Sequence, residues 1–395
     1  MPADEVAAVV VGAGPAGLAA GACLIRCGIE PVVLERSASV ASSWRCHYDR
    51  LHLHTVKRLS ALPGLPFPRE YPRYVPRDAF VRYLEDYAAH WRIELRFDED
   101  VVAIERTGAS WQTITRRGNR WLSRAVVVAT GANAAPQLPT FAGQSTFPGR
   151  ILHSRDYRDP QPFANQRVLV VGMGNTGAEI ALDLAAHGVS TALSVRSPVN
   201  IVRRDVLGRP TQLTAIALSR LPQRWGDAVA RLLRDLTVGD LSQHGLRRAP
   251  QSPLRQLREH GKTPVIDVGT VAMIRSGRIG VYPGLESFGP GGVRFADGRT
   301  AAFDAVIFAT GYRPQVAPLF PQQQPPLDAE GVPTEVAGIG PLASVYFIGI
   351  DLRQAGGLLR TIGQQAQQVA QAIARHRAAG ASTGWNLSER SRVHR

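Results

Sequence analysis

The chain has 395 residues, of which 44% are hydrophobic and 20% are charged, a composition typical of soluble globular proteins. This length predicts two domains, and no apolar run approaches the roughly 18 residues that a membrane-spanning helix needs. The net charge of +14 comes almost wholly from scattered arginines, since lysine occurs only at Lys57 and Lys262. We therefore expect no nucleic-acid partner, and only an attraction of anionic cofactors and substrates.

The chain begins with a strand–turn–helix pattern. An apolar β-branched run at residues 9–11 leads into a GxGxxG loop, which is followed by a stretch of helical period. In such a loop the first glycine makes the turn, the second lets the backbone approach a pyrophosphate, and the third lets the helix pack on the strand. The pattern predicts a dinucleotide site, with the pyrophosphate at the positive end of the helix. The residues of this loop are Gly12, Ala13, Gly14, Pro15, Ala16 and Gly17.

Glu35 closes this first unit, which starts near residue 7. A carboxylate at the end of the second strand accepts hydrogen bonds from a ribose 2′-hydroxyl, as FAD or NAD requires. Cys23 and Cys27 lie one helical turn apart in the helix of this unit, and we interpret both as buried packing. Because the first apolar run is already a strand of this unit and not a secretory signal, we expect a cytoplasmic location.

Three segments follow before the middle of the chain. Residues 62–76 carry five prolines, so they are predicted to form an ordered loop over a site and not a helix or a central strand. Residues 77–91 have helical period. Two apolar runs end alike, in Thr130-Gly131 and in Thr310-Gly311, which predicts buried strands that feed turns where the chain crosses between domains.

The glycine pattern returns 160 positions later (12 to 172), after a second apolar run. One GxGxxG is weak evidence, but two in register, each between a strand and a helix, are strong evidence for two dinucleotide sites. The second loop consists of Gly172, Gly174, Asn175, Thr176 and Gly177, with Met173 between the first two glycines.

The second unit, residues 167–196, differs from the first where Glu35 stood. Its counterpart is Val195, followed by Arg196 and Ser197. The second unit therefore lacks the carboxylate of Glu35 but has an arginine, Arg196, where the first unit has Arg36. A cation without a neighbouring carboxylate suits a ribose 2′-phosphate. The sequence thus favours FAD at the first loop and NADPH at the second. The alternative for Arg196 is a solvated surface arginine.

The rest of the chain completes an α/β architecture. Residues 200–260 hold mixed helical segments, and the run at residues 346–351, which includes Gly349 and Asp351, is predicted to be another strand that ends at a glycine. Gly356 and Gly357 open a helix that reaches about residue 376 and is expected to return to the flavin. We predict a two-dinucleotide-binding, double Rossmann fold with an NADPH domain (158–313) inserted into an FAD domain (1–157 and 314–380). The tail at 381–395 is predicted to be disordered.

Between the two units lies the pattern FxGxxxHxxxY, at residues 147–157, with His153 and Tyr157. This pattern is typical of flavin-containing monooxygenases and related Baeyer–Villiger enzymes. Further segments, such as 48–51, 65–68, 262–269, 308–312 and 356–359, make the chain resemble the YUCCA-type plant indole-3-pyruvate monooxygenases most. The arginine-rich, lysine-poor composition indicates a bacterial member of that family.

The resemblance implies a reaction cycle. NADPH reduces FAD, dioxygen forms a flavin hydroperoxide, and this attacks the keto carbon of an aromatic 2-oxo acid such as indole-3-pyruvate, with loss of carbon dioxide. The protein orients the cofactors and excludes water. The matched segments extend the predicted cofactor site to Arg36, Ser43, Trp44, Arg45, Ser197, Tyr312 and Asp351.

The predicted catalytic residues are His54, Lys57 and Asn175. Many relatives have asparagine where His54 stands, in an Asn-x-x-Lys segment. His54 is predicted to donate a hydrogen bond to the flavin or its peroxide. Histidine is also a residue type that can change its charge near neutral pH, which asparagine cannot. The alternative is a structural histidine that supports the flavin loop. For His153 we favour a linker role, and for Tyr157 packing.

Two other function classes share this layout. A flavin disulfide reductase needs a redox cysteine pair of the CxxC or CxxxxC type, which the sequence lacks. A regulatory nucleotide-binding module would tolerate decay at Asn175, His54 and Arg196, and none has decayed. Within the oxygenases, N- or S-oxygenation or a Baeyer–Villiger reaction of a small metabolite stays open, as does the oligomeric state. No metal site is predicted.

Overall fold

The structure is a computed structural model that describes residues 4–381. Its strands are, in chain order, β1 (Asp4–Val11), β2 (Pro31–Leu34), β3 (Glu94–Arg96), β4 (Val101–Thr107), β5 (Ser110–Thr115), β6 (Arg120–Val128), β7 (Ala135–Pro136), β8 (Arg150–His153), β9 (Arg167–Val171), β10 (Ser190–Ser194), β11 (Ile201–Arg203), β12 (Asp205–Val206), β13 (Arg209–Pro210), β14 (Val265–Asp267), β15 (Ile279–Tyr282), β16 (Leu285–Gly289), β17 (Gly292–Phe295), β18 (Thr300–Ala301), β19 (Ala305–Phe308), β20 (Tyr312–Arg313) and β21 (Val345–Phe347). Its α-helices are α1 (Pro15–Arg26), α2 (Ser42–Arg45), α3 (Lys57–Ser60), α4 (Arg77–His90), α5 (Asn175–Ala186), α6 (Thr211–Leu218), α7 (Gln223–Val238), α8 (Pro253–His260), α9 (Thr270–Arg275) and α10 (Leu358–Ala381).

The first sheet has the order β3-β2-β1-β6-β5-β4, and β21 also pairs with β6. The strands β3, β2, β1, β6 and β21 run parallel, whereas β4, β5 and β6 form an antiparallel meander. The central strand β1 ends in an uninterrupted valine run that is buried on both faces, as helix-covered parallel sheets require. This arrangement is the first predicted Rossmann unit.

The second sheet has the order β15-β10-β9-β19-β8, and every pair in it is parallel. Its central strand β9 leads into α5 as β1 leads into α1, so the predicted double Rossmann fold is confirmed. β8 lies before the boundary predicted at residue 157, yet it pairs with β19 in this second sheet.

The C-terminal part of the chain returns to the first sheet. β21 adds to β6, and α10 packs along α1. α10 starts directly after Gly356 and Gly357, as predicted, but it continues to Ala381 and so exceeds the predicted end near residue 376. The tail predicted to be disordered lies almost wholly outside the described residues.

The proline-rich segment between α3 and α4 contains neither helix nor strand, as predicted. It is held on α4 by two tyrosines of that helix. The hydroxyl of Tyr83 donates to the Leu65 carbonyl at 2.7 Å, and that of Tyr87 donates to the Pro63 carbonyl at 2.6 Å. The segment is therefore a fixed loop.

The prediction that both Cys23 and Cys27 are buried was wrong for Cys27. Cys23 is buried, and burial raises the pKa of its thiol to about 11. Cys27 is exposed, because it lies at the C-terminal cap of the helix and not on its packed face. Over residues 4–381, no helix is both long and apolar enough to cross a membrane.

Candidate active site

The first glycine loop joins β1 to α1, and its three glycines have different roles. Gly12 has φ of +105°, and a Cβ there would lie 2.8 Å from the Ala129 carbonyl oxygen. A Cβ on Gly17 would lie 1.8 Å from the Gly12 oxygen, whereas one on Gly14 would meet nothing within 4 Å. The first and third glycines are therefore required by packing, and the second faces open space at the start of a helix, as a pyrophosphate site requires.

The second loop, between β9 and α5, repeats this geometry. Gly172 also has φ of +105°, and its Cβ would lie 2.6 Å from the Ala309 oxygen. A Cβ on Gly177 would lie 2.1 Å from the Gly172 oxygen, and one on Gly174 would again meet nothing within 4 Å. Two helix N-termini thus present matching open cradles for an anionic group.

Glu35 lies directly beside the first loop. Its side chain is only 5% exposed and accepts hydrogen bonds from the Ala13 N–H at 2.7 Å, the Ser37 N–H at 3.0 Å and the Ser42 hydroxyl at 3.2 Å. These donors fix the carboxylate at the wall of the cleft. Oε1 accepts two of these bonds and Oε2 accepts one, so Oε2 has a lone pair left for a ribose hydroxyl. The contact from Ser42 was missed by sequence reasoning, which chose its neighbour Ser43.

At the corresponding position of the second unit, Val195 is buried and Arg196 is exposed on the cleft wall. Within the described part of the chain, no carboxylate pairs with the Arg196 guanidinium. Its backbone carbonyl accepts a hydrogen bond from Arg247 at 2.6 Å, and Gly284 packs against the base of its side chain. The site therefore offers an uncommitted guanidinium, with a second one, that of Arg247, close by.

The segments that cross between the two sheets are joined to each other. β7 pairs antiparallel with β20, so Tyr312 opposes Pro136. The Gln137 N–H donates to the Gly311 carbonyl at 2.9 Å, and the same carbonyl lies 3.2 Å from Nε2 of His153. His153 thus contacts the crossing segment, and its linker role stays a prediction.

Both loops open on one cleft of about 1410 Å³, which exceeds the usual volume for a single drug-sized ligand. The hydroxyl of Thr130 is buried on this wall with no hydrogen-bond partner among the described residues. The predicted cofactor residues that line the cleft are Gly12, Gly14, Pro15, Ala16, Glu35, Arg36, Ser43, Trp44, Thr130, Gly131, Asn175, Thr176, Arg196, Thr310, Gly311, Tyr312 and Asp351. The loop geometry, the fixed carboxylate and the size of the cleft fit two dinucleotides.

The other predicted cofactor residues support the cleft from behind or beside it. Arg45 pairs with Glu85 and donates to the Val40 carbonyl at 3.0 Å, so it ties α2 to α4. Those outside the cleft lining are Ala13, Gly17, Arg45, Gly172, Gly174, Gly177 and Ser197.

His54 lies on the cleft wall and contacts a carboxylate of the other unit. Its Nε2 atom lies 2.6 Å from Oε1 of Glu179, a buried residue of α5. Tyr48 hydrogen bonds to the same carboxylate, and burial, followed by the charge of Glu179, raises the pKa of Tyr48 well above its usual value. Nδ1 of His54 is buried with no hydrogen-bond partner among the described residues. Neither Tyr48 nor Glu179 was singled out from the sequence, although Tyr48 lies in a segment that resembles the YUCCA type.

The two other predicted catalytic residues make structural contacts. The Lys57 ammonium donates to the backbone carbonyls of Pro68, Arg69 and Tyr71, at 2.7 Å for Arg69. It thereby fixes the proline-rich loop.

The amide of Asn175 bridges the start of α5 to β14 and to the two residues before that strand. It donates to the Thr263 hydroxyl and the Pro264 carbonyl, both at 3.3 Å, and accepts from the Ile266 N–H at 2.6 Å. The catalytic roles of Lys57 and Asn175 stay predictions.

Comparison with known proteins identifies the family of the chain. A family model described as flavin-binding monooxygenase-like matches residues 4–323. The chain is 44% identical over 313 residues to the indole-3-pyruvate monooxygenase YUCCA1 of Oryza sativa subsp. japonica, which covers 78% of this chain and 77% of the relative. It is 38% identical over 388 residues to the YUCCA4 enzyme of the same plant, with 94% and 88% covered.

A flavin-containing monooxygenase from Stenotrophomonas maltophilia matches in structure. The TM-score is 0.72 at 26% identity, and the match covers 94% of this chain and 99% of that one. Two glycine loops on one cleft, together with these matches, make the chain a flavin-dependent monooxygenase that belongs to the flavin-binding monooxygenase-like family.

Proposed function

We propose that the first glycine loop binds FAD and the second binds NADPH, and that the enzyme uses both with dioxygen. The observation that carries this assignment is the asymmetry between two otherwise matching loops. Glu35 presents a fixed carboxylate beside the first loop, and Arg196 presents an unpaired guanidinium beside the second. A carboxylate suits ribose hydroxyls, and a guanidinium suits a 2′-phosphate.

When bound, these cofactors supply hydride transfer and the activation of dioxygen. The protein supplies binding and orientation. The helix N-termini behind Gly14 and Gly174 hold the two pyrophosphates, and the bridging segments β7 and β20 keep the two loops on one cleft. On this assignment residues 1–157 and 314–380 form the FAD domain and residues 158–313 the NADPH domain, with β8 contributing to the sheet of the latter.

We assign His54 the role of a donor to the reacting end of the flavin. Glu179 lies 2.6 Å from Nε2 of His54 and so fixes the orientation of the imidazole ring. Nδ1 is buried and has no hydrogen-bond partner among the described residues, so it is the ring nitrogen left for a ligand in the cleft. With a proton on Nδ1, His54 would donate a hydrogen bond to the bound flavin.

The proposed reaction is the oxidative decarboxylation of an aromatic 2-oxo acid such as indole-3-pyruvate. One oxygen atom would enter the acid product and the C1 carboxyl would leave as carbon dioxide. The other oxygen atom would leave as water, with the two electrons that NADPH supplies when bound. Support comes from the 44% identity to an indole-3-pyruvate monooxygenase over 78% of the chain. We place the reaction in the cytoplasm.

The test is product analysis under ¹⁸O₂ with purified enzyme and NADPH. Indole-3-pyruvate and phenylpyruvate are compared with an amine, a sulfide and a cyclic ketone, and catalase is present because free hydrogen peroxide decarboxylates 2-oxo acids by itself. The expected result is one ¹⁸O atom in indole-3-acetate. Label in an N-oxide, a sulfoxide or an ester instead would refute the substrate class, and no label in any product would refute the oxygenation itself.

A further inference from the structure

Helix α7 packs one side against the protein through Gly226, Ala230, Arg234 and Val238. Arg234 is the charged member of this set and is only 6% exposed. The guanidinium of Arg234 donates to Oδ1 of Asn200 at 2.6 Å and to the backbone carbonyls of Ala249 at 2.8 Å and Gln251 at 3.2 Å. A buried charge of this kind is held by its hydrogen bonds and fixes the rotation of the helix about its axis.

The opposite side of α7 is apolar and faces solvent. Trp225, Val229, Leu232 and Leu236 are 59%, 36%, 57% and 73% exposed, and their spacing of four, three and four residues puts them in one stripe along the helix. We call these four residues the α7 stripe. Single exposed hydrophobic residues are ordinary, but a continuous apolar stripe marks an interaction surface.

The charges that border the α7 stripe are positive. Arg220, Arg224 and Arg231 are exposed, and no carboxylate in the described part of the chain pairs with them. The acidic residues of α7 are paired with other residues of the protein. Asp227 accepts from the Ser252 hydroxyl at 2.6 Å and from Arg258 at 2.9 Å, while Asp235 pairs with Arg234 at 2.8 Å and Arg248 at 3.3 Å.

We propose that the α7 stripe docks the enzyme onto the surface of a membrane that contains anionic phospholipids. An amphipathic helix with tryptophan and leucine on one side and arginines at the border lies in the plane of a bilayer interface, without spanning it. These arginines, which no carboxylate in the described part of the chain neutralises, meet the negative headgroups, and each contributes to binding. Arg224 also lies over the Trp225 ring, 5.9 Å from its centroid. A second copy of the chain fits the α7 stripe less well than a membrane does. If two α7 helices paired antiparallel about a twofold axis, Arg231, near the middle of the stripe, would lie against Arg231 of the other copy, and the two positive charges would repel each other.

The docking surface is also connected to the cleft. α7 follows α6, and the Gln212 side chain of α6 accepts from the Val56 N–H at 2.8 Å and donates to the Gly356 carbonyl. Val56 lies in the segment that carries His54. The surface is therefore close, through one helix, to the wall of the site described above, although its binding to lipid does not depend on the proposed reaction.

The test is sedimentation of the purified full-length holoenzyme with sucrose-loaded vesicles. One set is phosphatidylcholine alone, and the other contains phosphatidylglycerol as well. We expect binding to the second set only, weakening as salt is raised. The double variant Trp225→Ser/Leu236→Ser should bind at least about tenfold more weakly, because two exposed apolar anchors are removed. The control Leu138→Ser removes an equally exposed residue elsewhere, with an exposure of 56%, and should bind as the parent does.

A second pair of variants tests the charge. Arg224→Gln/Arg231→Gln should weaken binding to the anionic vesicles, whereas Arg82→Gln, an exposed arginine of α4, should have a smaller effect. Flavin absorbance and thermal unfolding establish that each variant is folded. Equal binding to both vesicle sets, or parental binding by the stripe variant, would overturn the proposal. So would a parent that sediments with neither set but forms a dimer that Leu236→Ser dissociates, because the stripe would then belong to a second copy.

Discussion

Gly14 and Gly174 permit a test of cofactor binding that barely disturbs the fold. Gly14 has φ of −81° and ψ of −175°, and Gly174 has −88° and −174°, a backbone conformation that alanine adopts without strain. A Cβ at either position meets no protein atom within 4 Å. In Gly14→Ala the added methyl group therefore occupies only the space that we assign to the FAD pyrophosphate, and in Gly174→Ala that of NADPH.

The expected free-energy changes distinguish an effect on the stability of the apoprotein from an effect on cofactor binding. In the absence of cofactor, a glycine-to-alanine change at an unstrained position gains about 0.4–1 kcal/mol from the unfolded chain. Here that gain is offset, because Gly14 and Gly174 are helix N-cap residues, where glycine is preferred over alanine. Moving a pyrophosphate away from the N-terminus of a helix costs hydrogen bonds to a charged group, worth about 1.5–3 kcal/mol. That cost corresponds to roughly 10–150-fold weaker binding. We expect Gly14→Ala to be stable and nearly colourless, and Gly174→Ala to be yellow but slowly reduced by NADPH.

The assay titrates FAD into each apoprotein by calorimetry and follows reduction by NADPH in stopped flow, with thermal unfolding of the apoproteins as the folding control. Each variant is the control for the other. FAD affinity at the parental value in Gly14→Ala would refute the role of the first loop. Loss of FAD by Gly174→Ala in its place would reverse the assignment of the two sites.

Three further outcomes are expected. Arg196→Ala should erode the preference for NADPH over NADH by about 10–100-fold, mainly through the KM for NADPH, while Arg82→Ala leaves it unchanged; equal discrimination in both would refute the 2′-phosphate contact. His54→Ala should keep FAD and its reduction but release hydrogen peroxide in place of product, with partial recovery in His54→Asn. Glu179→Gln should uncouple in part, because it loosens the orientation of the imidazole ring; loss of flavin in all three would instead indicate a structural histidine. Burial, and after it neighbouring arginines, lower the pKa of His47 from 6.5 to about 4. Between these two pH values the unfolded chain binds a proton that the folded chain does not, so the free energy of unfolding falls as the pH drops from 6.5 to 4. His47→Gln should remove about 3 kcal/mol of that pH dependence, measured by urea unfolding across pH.

The parts of the fold with a local pattern could be predicted from the sequence. The two glycine loops, the helix over residues 77–91 and the Ala-Thr-Gly turns all lie where periodicity and glycine spacing place them. The reason is that strand, turn and helix are specified there by neighbouring residues.

Contacts between distant segments could not be predicted in this way. Glu179 looks like an ordinary charged residue of a helix, and only the docking of α5 on the segment around His54 reveals the pair. The same is true of Lys57, whose three carbonyl partners depend on the path of the proline-rich loop. For Arg234 the local pattern is misleading. Helix α7 has a clear apolar stripe in the sequence, which would be expected to face the core, but the structure buries the opposite side with Arg234.

The most direct test of the central claim is a crystal structure of the protein with FAD and NADP⁺ bound. The account predicts the FAD pyrophosphate at Gly14 with its adenosine ribose on Glu35, and the NADP⁺ pyrophosphate at Gly174 with its 2′-phosphate on the Arg196 guanidinium. Both ligands should share the single cleft, with Nδ1 of His54 facing the flavin ring. Exchanged ligands, or a nicotinamide cofactor bound outside this cleft, would contradict the account.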